Sequence, residues 1–422
     1  MHRLKRGIKR RIKKYFTRPL WRLVKKTSWG YAYKKKTAKK RLDKLLFQDM
    51  PAAYNSEIDK PIQENKVVFI EPRYDFLSNN FVQLHKELVK NKDLDIHIHY
   101  LLELDLSKKQ FYRNCKEMLR DVATAKYVFV NEASRYLSCV DLREETIVTQ
   151  LWHACGAFKR FGFSTADKLF GTDKEGMLLH PYYKNYTHVT ISSPEIAWAY
   201  EEAMGLQDRP EVIKPVGTSR TDIFFVPEEQ EKARKKLEEL MPAAKGKKVI
   251  LFAPTFRGRV ASASTPDNLS VEGFANAFSD EYILLFKHHP IVRNKPTISD
   301  EYNHSFAMDM TEHMTIDELL FVSDICISDY SSLIFEYSLL ERPMLFFAYD
   351  LDEYFDWRGF YYDYNELTPG PICTTNEEMI DYIKNIDTLF DKQKVIDFKD
   401  KFMSACDGHA TERILDMVFK KD

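Results

Sequence analysis

The chain has 422 residues, 44% of them hydrophobic, with 14 Gly and 17 Pro, so it is neither fibrous nor low-complexity and is too long for one typical core. Its 63 basic and 63 acidic residues cancel to a net charge of +0, yet 19 of the basic residues and a single acid, Asp43, fall in residues 1–44, which leaves a body with 44 basic and 62 acidic residues. The 6 cysteines (Cys115, Cys139, Cys155, Cys326, Cys373 and Cys406) form no C-x-x-C pair, which argues against a disulfide framework or a zinc site and for a reducing cytosol.

Residues 1–50 read as a basic amphipathic helical arm. Leu4, Ile8, Ile12 and Tyr15 or Phe16 recur at helical spacing. After Thr17 and Pro19 a second helix would carry Leu20, Trp21, Leu23 and Val24, with Lys and Arg on the opposite face. No apolar h-region or small-residue cleavage site follows the charges, so a secretory signal is not expected, and no apolar run reaches the length of a bilayer span. An apolar stripe opposite a cationic face suits an anionic membrane surface, where each basic residue contributes about 1 kcal/mol. A helix packed on the body, or a nucleic-acid arm, would use the same charges. The stripe favours the membrane, and the acidic body disfavours nucleic acid. Lys34-Lys35-Lys36 with Lys39, Lys40 and Arg41 either extends the attraction or forms a solvated face.

The folded body is expected to start near Lys66 with the buried strand Val67–Ile70, followed by a helix from Asn79 to Lys90. Strands follow at Asp95–Leu101, Tyr127–Asn131, Thr146–Leu151 and His188–Ser192, then a helix from Pro194 to Met204 and a strand at Glu211–Val216. A charged helix, Glu228 to Leu240, with Pro242 and Gly246 behind it, marks a composition shift, and the domain boundary is placed just before it. A second series has strands at Val249–Ala253, Tyr282–Phe286, Ile325–Ser328 and Met344–Ala348. Helices fall near Val271–Phe278, Thr315–Val322 and Ser331–Leu340, and the tail from Asn376 is helical. Short apolar strands alternating with helices predict mostly parallel sheets covered on both faces. Two such domains leave a cleft lined by the C-terminal ends of their strands.

Chemistry-bearing residues recur at those strand ends. Ser323–Tyr337 reads as a strand, a turn with adjacent hydroxyls at Ser331 and Ser332, and a helix start, an arrangement that suits a phosphate. An ordinary Ser N-cap would look the same in isolation. Trp152-His153, with Lys159 and Arg160 after it, places a histidine beside an anion site, where it could act as a general base or sit against Trp152 as structure. Lys287-His288-His289-Pro290 offers a second histidine to hold a pyrophosphate or stabilise a leaving group. No third and fourth ligand stand at a believable spacing, so a metal is not expected. Thr255 and Arg257 follow another strand and suit phosphate contact. Arg220, in Gly217-Thr218-Ser219-Arg220-Thr221-Asp222, is a ligand or a surface residue of a Gly turn.

Several of these segments, in this order and spacing, resemble the CDP-glycerol glycerophosphotransferase family, the teichoic-acid primases and polymerases. They are Leu151-Trp152-His153, Gly217–Asp222, Ala253-Pro254-Thr255-Phe256-Arg257, His289-Pro290, Ser323-Asp324, Asp329-Tyr330-Ser331-Ser332, Arg342–Phe347, Arg358-Gly359-Phe360-Tyr361 and Asp407-Gly408. The resemblance runs from about Phe69 to the C-terminus. It implies an α/β fold of two Rossmann-like domains, glycosyltransferase-B-like, with residues 62–226 as an acceptor domain and 227–422 as a CDP-donor domain. It also implies a peripheral, monotopic enzyme on the cytoplasmic membrane face, attached through residues 1–44. By the resemblance His153 is the catalytic base and His289 serves the donor phosphates. Ser331, Ser332, Thr255, Arg257 and Arg220 lie around the pyrophosphate, and no cofactor is implied. The family's Trp-His-Gly reads Trp-His-Ala-Cys-Gly here, and its Pro-Arg reads Ser-Arg. Both departures bear on the acceptor or polyol and leave the reaction class intact.

The expected activity is transfer of a polyol phosphate, glycerol phosphate first, from a CDP-polyol to a hydroxyl of a membrane-linked acceptor, with release of CMP. A glycosyltransferase with a nucleotide-sugar donor would share the cradle. A basic-armed binding protein without catalysis would instead show salt-sensitive nucleic-acid binding.

Overall fold

The computed structural model describes residues 28–420 apart from 167, 169, 170, 172, 173, 180, 181, 259–262 and 290. The apolar stripe expected at residues 4–24, and Pro290, lie outside the described residues. Of the basic arm, Ser28–Lys44 forms a helix.

The described residues form two six-stranded sheets. The first holds β1 (Gln63–Glu71), β2 (Asp95–Tyr100), β3 (Ala125–Val130), β4 (Ile147–Gln150), β5 (His188–Thr190) and β6 (Ile213–Lys214), in the order β2-β1-β3-β4-β5-β6. The second holds β7 (Lys248–Phe252), β8 (Tyr282–Phe286), β9 (Ala307–Asp309), β10 (Ile325–Ser328), β11 (Met344–Phe347) and β12 (Ile372–Cys373), in the order β12-β11-β10-β7-β8-β9. Each pairing is parallel. The central strands are short β-branched and aromatic runs such as Val67-Val68-Phe69-Ile70 and Tyr282–Phe286, buried on both faces, as helix-covered parallel sheets require.

The lobes are stitched together at several places. Helix Ala410–Phe419 returns to the first sheet, with Ile414 and Val418 among Val67, Phe69, Phe81 and Phe129. The Phe419 ring lies 4.2 Å from that of Tyr127. Asp222 accepts from the N–H groups of Ala410 (3.0 Å) and Thr411 (2.7 Å), capping this helix from the turn that ends the first series. Gly156, at φ +61°, lies so close to Phe335 that a Cβ there would come within 2.3 Å of that ring. A glycine is therefore needed both for the backbone angle and for the approach of the Trp152–Gly156 turn to helix Leu333–Ser338. Residues 158–160 also form a bridge with 359–361.

Candidate active site

The C-terminal ends of β1, β3 and β4 build one half of the site. Trp152, two residues past the end of β4, takes the left-handed conformation (φ +56°), a strain of order 1–3 kcal/mol for a bulky residue. Its N–H bonds to Gln150 Oε1 at 2.9 Å, and its indole packs against the rings of His153 (4.5 Å) and Phe161 (5.0 Å). This turn lifts His153 off the sheet, leaving its side chain 36% exposed.

His153 Nδ1 lies 3.2 Å from the Asn131 carbonyl oxygen and 3.4 Å from Glu132 Oε1. A carbonyl can only accept, so Nδ1 carries the hydrogen and Nε2 keeps a free lone pair. Burial is the first cause holding its pKa below the ordinary 6.5, and Arg73 and Arg220 push the same way. Glu132 and the Asn131 carbonyl oppose them. Glu132 is in turn held by Arg73 Nη2 at 2.7 Å.

Arg220, expected at the donor phosphates, instead lies beneath His153. Nη1 donates to the His153 carbonyl at 3.2 Å, and Nη2 meets Asp317 Oδ1 at 2.8 Å and Glu336 Oε1 at 3.6 Å. Both carboxylates belong to the second lobe, and both are buried. Arg220 thus ties the histidine turn to that lobe.

The ends of β7, β8 and β10 build the other half. Asp329 Oδ1 accepts from Thr255 N (2.8 Å), Thr255 Oγ1 (2.7 Å) and Tyr330 N (2.6 Å). Arg257 Nη1 meets Asp329 Oδ2 at 3.0 Å, and its Nε and Nη2 grip Asp350 at 2.6 and 2.9 Å. Thr255 and Arg257, also expected at the phosphates, are thereby committed to carboxylates and form the floor of the cradle. Ser331 and Ser332 stand half-buried at the turn above it. Ser331 Oγ accepts weakly from Leu333 N at 3.4 Å, and Ser332 makes no side-chain cap bond. The helix behind them, expected to reach Leu340, has six residues, Leu333–Ser338. So short a helix has little macrodipole, and the donors this turn can offer an anion are its hydroxyls and backbone N–H groups. Arg342 holds the carbonyls of Phe321 (2.8 Å) and Ser323 (2.7 Å), a structural task for the Arg-Pro segment.

His289 is exposed and lies against Phe256, ring centres 4.9 Å apart. Its Nδ1 accepts from the Ile291 N–H at 3.2 Å, so in the neutral ring the hydrogen sits on Nε2. Partial desolvation by the surrounding protein first, then the charges of Lys159 and Arg73, push its pKa down to about 4. Arg73 therefore acts on both His153 and His289, one from each lobe. Among the described residues no group of three or more His, Cys, Asp or Glu could hold a metal ion.

A sequence profile of the CDP-Glycerol:Poly(glycerophosphate) glycerophosphotransferase family matches residues 52–420. The chain belongs to this family. It is 36% identical over 360 residues to the teichoic acid poly(ribitol-phosphate) polymerase of Bacillus spizizenii, covering 85% of this chain and 56% of that protein. It is 31% identical over 365 residues to the teichoic acid ribitol-phosphate primase of the same organism, covering 85% and 92%. The chain spans 56% to 66% of the length of the first three curated relatives, all ribitol-phosphate polymerases. In fold it matches the wall teichoic acid polymerase TagF with a TM-score of 0.70 at 21% identity, over 92% of this chain and 97% of that one. The two-lobed, glycosyltransferase-B-like architecture is that of this family member.

Arg73, Glu132 and Asp350 escaped the sequence reading, and Asp329 entered it only as part of the Asp-Tyr-Ser-Ser segment, without a role of its own. Each follows an apolar strand directly or within a few residues, and that position was the available signal.

Proposed function

We propose that the chain transfers a polyol phosphate from a CDP-polyol to a hydroxyl of a lipid-linked acceptor and releases CMP. The observation that carries this reading is the pair of opposite tautomers. His153 offers a bare Nε2 and His289 an Nε2–H. One suits a base and the other a hydrogen-bond donor to phosphate oxygen, and the low pKa of His289 keeps it neutral and donating at physiological pH.

In the proposed step His153 Nε2 takes the proton of the acceptor hydroxyl as that oxygen attacks the β-phosphorus. The bond from that phosphorus to the CMP oxygen breaks, and its electron pair leaves with CMP. His289, Ser331 and Ser332 hold the phosphate oxygens. Thr255 and Arg257 keep Asp329 and the Ser turn in place, and Arg220 keeps the His153 turn in place. Positioning and electrostatics supply most of the rate. The first lobe (62–226) supplies the base, and the second (227–422) supplies the donor cradle. The names of the relatives support ribitol as the polyol ahead of glycerol, which the sequence alone had suggested. The basic residues 1–44 attach the protein to an anionic membrane surface. Among the described residues no helix is long and apolar enough to cross one.

The test is nucleotide release from CDP-ribitol, CDP-glycerol and UDP-sugars, with product length read on a lipid-linked acceptor. CMP release with polyol phosphate in the lipid fraction is expected. UDP release with sugar transfer would replace this reading with glycosyl transfer.

A further inference from the structure

One charged side chain in the crevice has no task in the mechanism above. Lys159 stands on the bridge between the lobes, where Arg160 N–H meets the Gly359 carbonyl at 3.1 Å and Tyr361 N–H meets the Phe158 carbonyl at 3.2 Å. The bridge carries its side chain out of the first lobe and over Tyr354 of the second, Nζ 5.9 Å from the ring centre. There it is repelled by Arg358 and Arg257 and attracted by Asp329, and it acts in turn on His289.

The carboxylates on that wall are already engaged. Asp329 takes three donors on Oδ1, and its Oδ2 lies at ion-pair distance, 3.0 Å, from Arg257 Nη1. Asp350 takes Arg257 twice and the Tyr330 hydroxyl at 2.8 Å. Among the described residues Lys159 has no carboxylate at ion-pair distance. A half-buried ammonium beside two guanidiniums and without a carboxylate in reach is costly, and an arriving anion relieves that cost. Burial first, then Arg358 and Arg257, against Asp329, push the Lys159 pKa down to about 7.

We propose that Lys159 is the first lobe's contact with the donor diphosphate: reaching across from the bridge, it pairs with the phosphate that departs as CMP. The diphosphate brings the missing negative charge, so the bound lysine is fully protonated and stabilises the charge that develops on the leaving oxygen. Because the lysine comes from one lobe and the cradle from the other, the donor also holds the lobes together. This inference rests on the CDP-polyol reading.

The experiment is isothermal titration calorimetry of the full chain with CDP-ribitol and CDP-glycerol at about pH 8, in two buffers of different ionisation enthalpy. With a free pKa near 7, close to one proton per donor should be taken up at that pH, and little at about pH 6. Lys159→Met should bind at least about tenfold more weakly with no uptake, and its ligand-free melting temperature should equal or exceed that of the unsubstituted protein. Lys159→Arg should recover most of the affinity without the uptake. Donor binding by the unsubstituted protein with no proton uptake, or a Met variant of undiminished affinity, overturns the assignment and leaves the CDP-polyol reading standing. Failure of the unsubstituted protein to bind either donor overturns both.

Discussion

Two histidine pairs, one within the first lobe and one drawn from both lobes, use the same imidazole chemistry to opposite ends. At the outer edge of the first sheet, His97 Nδ1 (2.7 Å) and His99 Nε2 (2.8 Å) converge on Asp121 Oδ2. The other oxygen of Asp121 is paired with Lys66, whose Nζ also donates to Thr124 Oγ1 at 3.0 Å. His97 Nε2 finds Asp95 at 3.1 Å. His153 and His289, at the C-terminal strand ends, each have one nitrogen fixed by a backbone group and the other open. His97, with both nitrogens on carboxylates, and His99, with Nε2 on the same Asp121, hold structure together. A histidine fixed in a single tautomer with a nitrogen to spare can do chemistry.

Removing the open nitrogen should have the largest effect. His153→Ala is expected to lower turnover in the CMP-release assay about a thousandfold, roughly 4 kcal/mol, with donor affinity within about twofold. His97→Ala, by contrast, should leave turnover per folded molecule within about twofold. Near-normal turnover in His153→Ala would remove the distinction between the pairs.

Next comes the closed cluster. Asp121→Asn leaves Lys66, only 6% exposed in its side chain, without its partner, and should cost about 3 kcal/mol in urea unfolding while sparing turnover. Burial alone would raise the Asp121 pKa, but His99, Lys66 and His97 outweigh it and hold it below the ordinary 3.8. Its stabilisation is therefore present above that value and lost as pH falls below it, so the gap between Asp121→Asn and the unsubstituted protein should close in acid.

His289→Ala should lower kcat about a hundredfold through the lost Nε2–H. Glu132→Gln should have the smallest effect, about tenfold in kcat, because it loosens the support of Nδ1 and leaves Nε2 in place. It should also move the acid limb of the kcat–pH profile further down. That limb is expected below pH 6.5 because burial favours neutral His153, and Glu132 is a group that pulls the other way.

The comparison also marks how far the chain can be read without coordinates. The central strands were legible because buried parallel strands need continuous apolar runs, as in Val249–Ala253 or Ile325–Ser328. β9 and β12 were not, since strands of three and two residues at a sheet edge are defined by the neighbour they pair with. His153 and His289 were legible as polar residues placed directly after such runs. The work of Arg220 and Arg257 was not, because their partners Asp317 and Asp350 stand 97 and 93 residues away along the chain.

Local pattern alone therefore determined the two parallel sheets, the strand ends that carry the chemistry and the charge asymmetry of the arm. These depend on periodicity and composition within a few residues. The tertiary structure decided which cations are already paired, which nitrogen of each histidine is bare, that the last helix caps the first sheet, and that Lys159 stands near two guanidiniums with no carboxylate among the described residues at ion-pair distance. Each of those depends on which distant groups share a few ångströms of low-dielectric space, and no local window of sequence contains that.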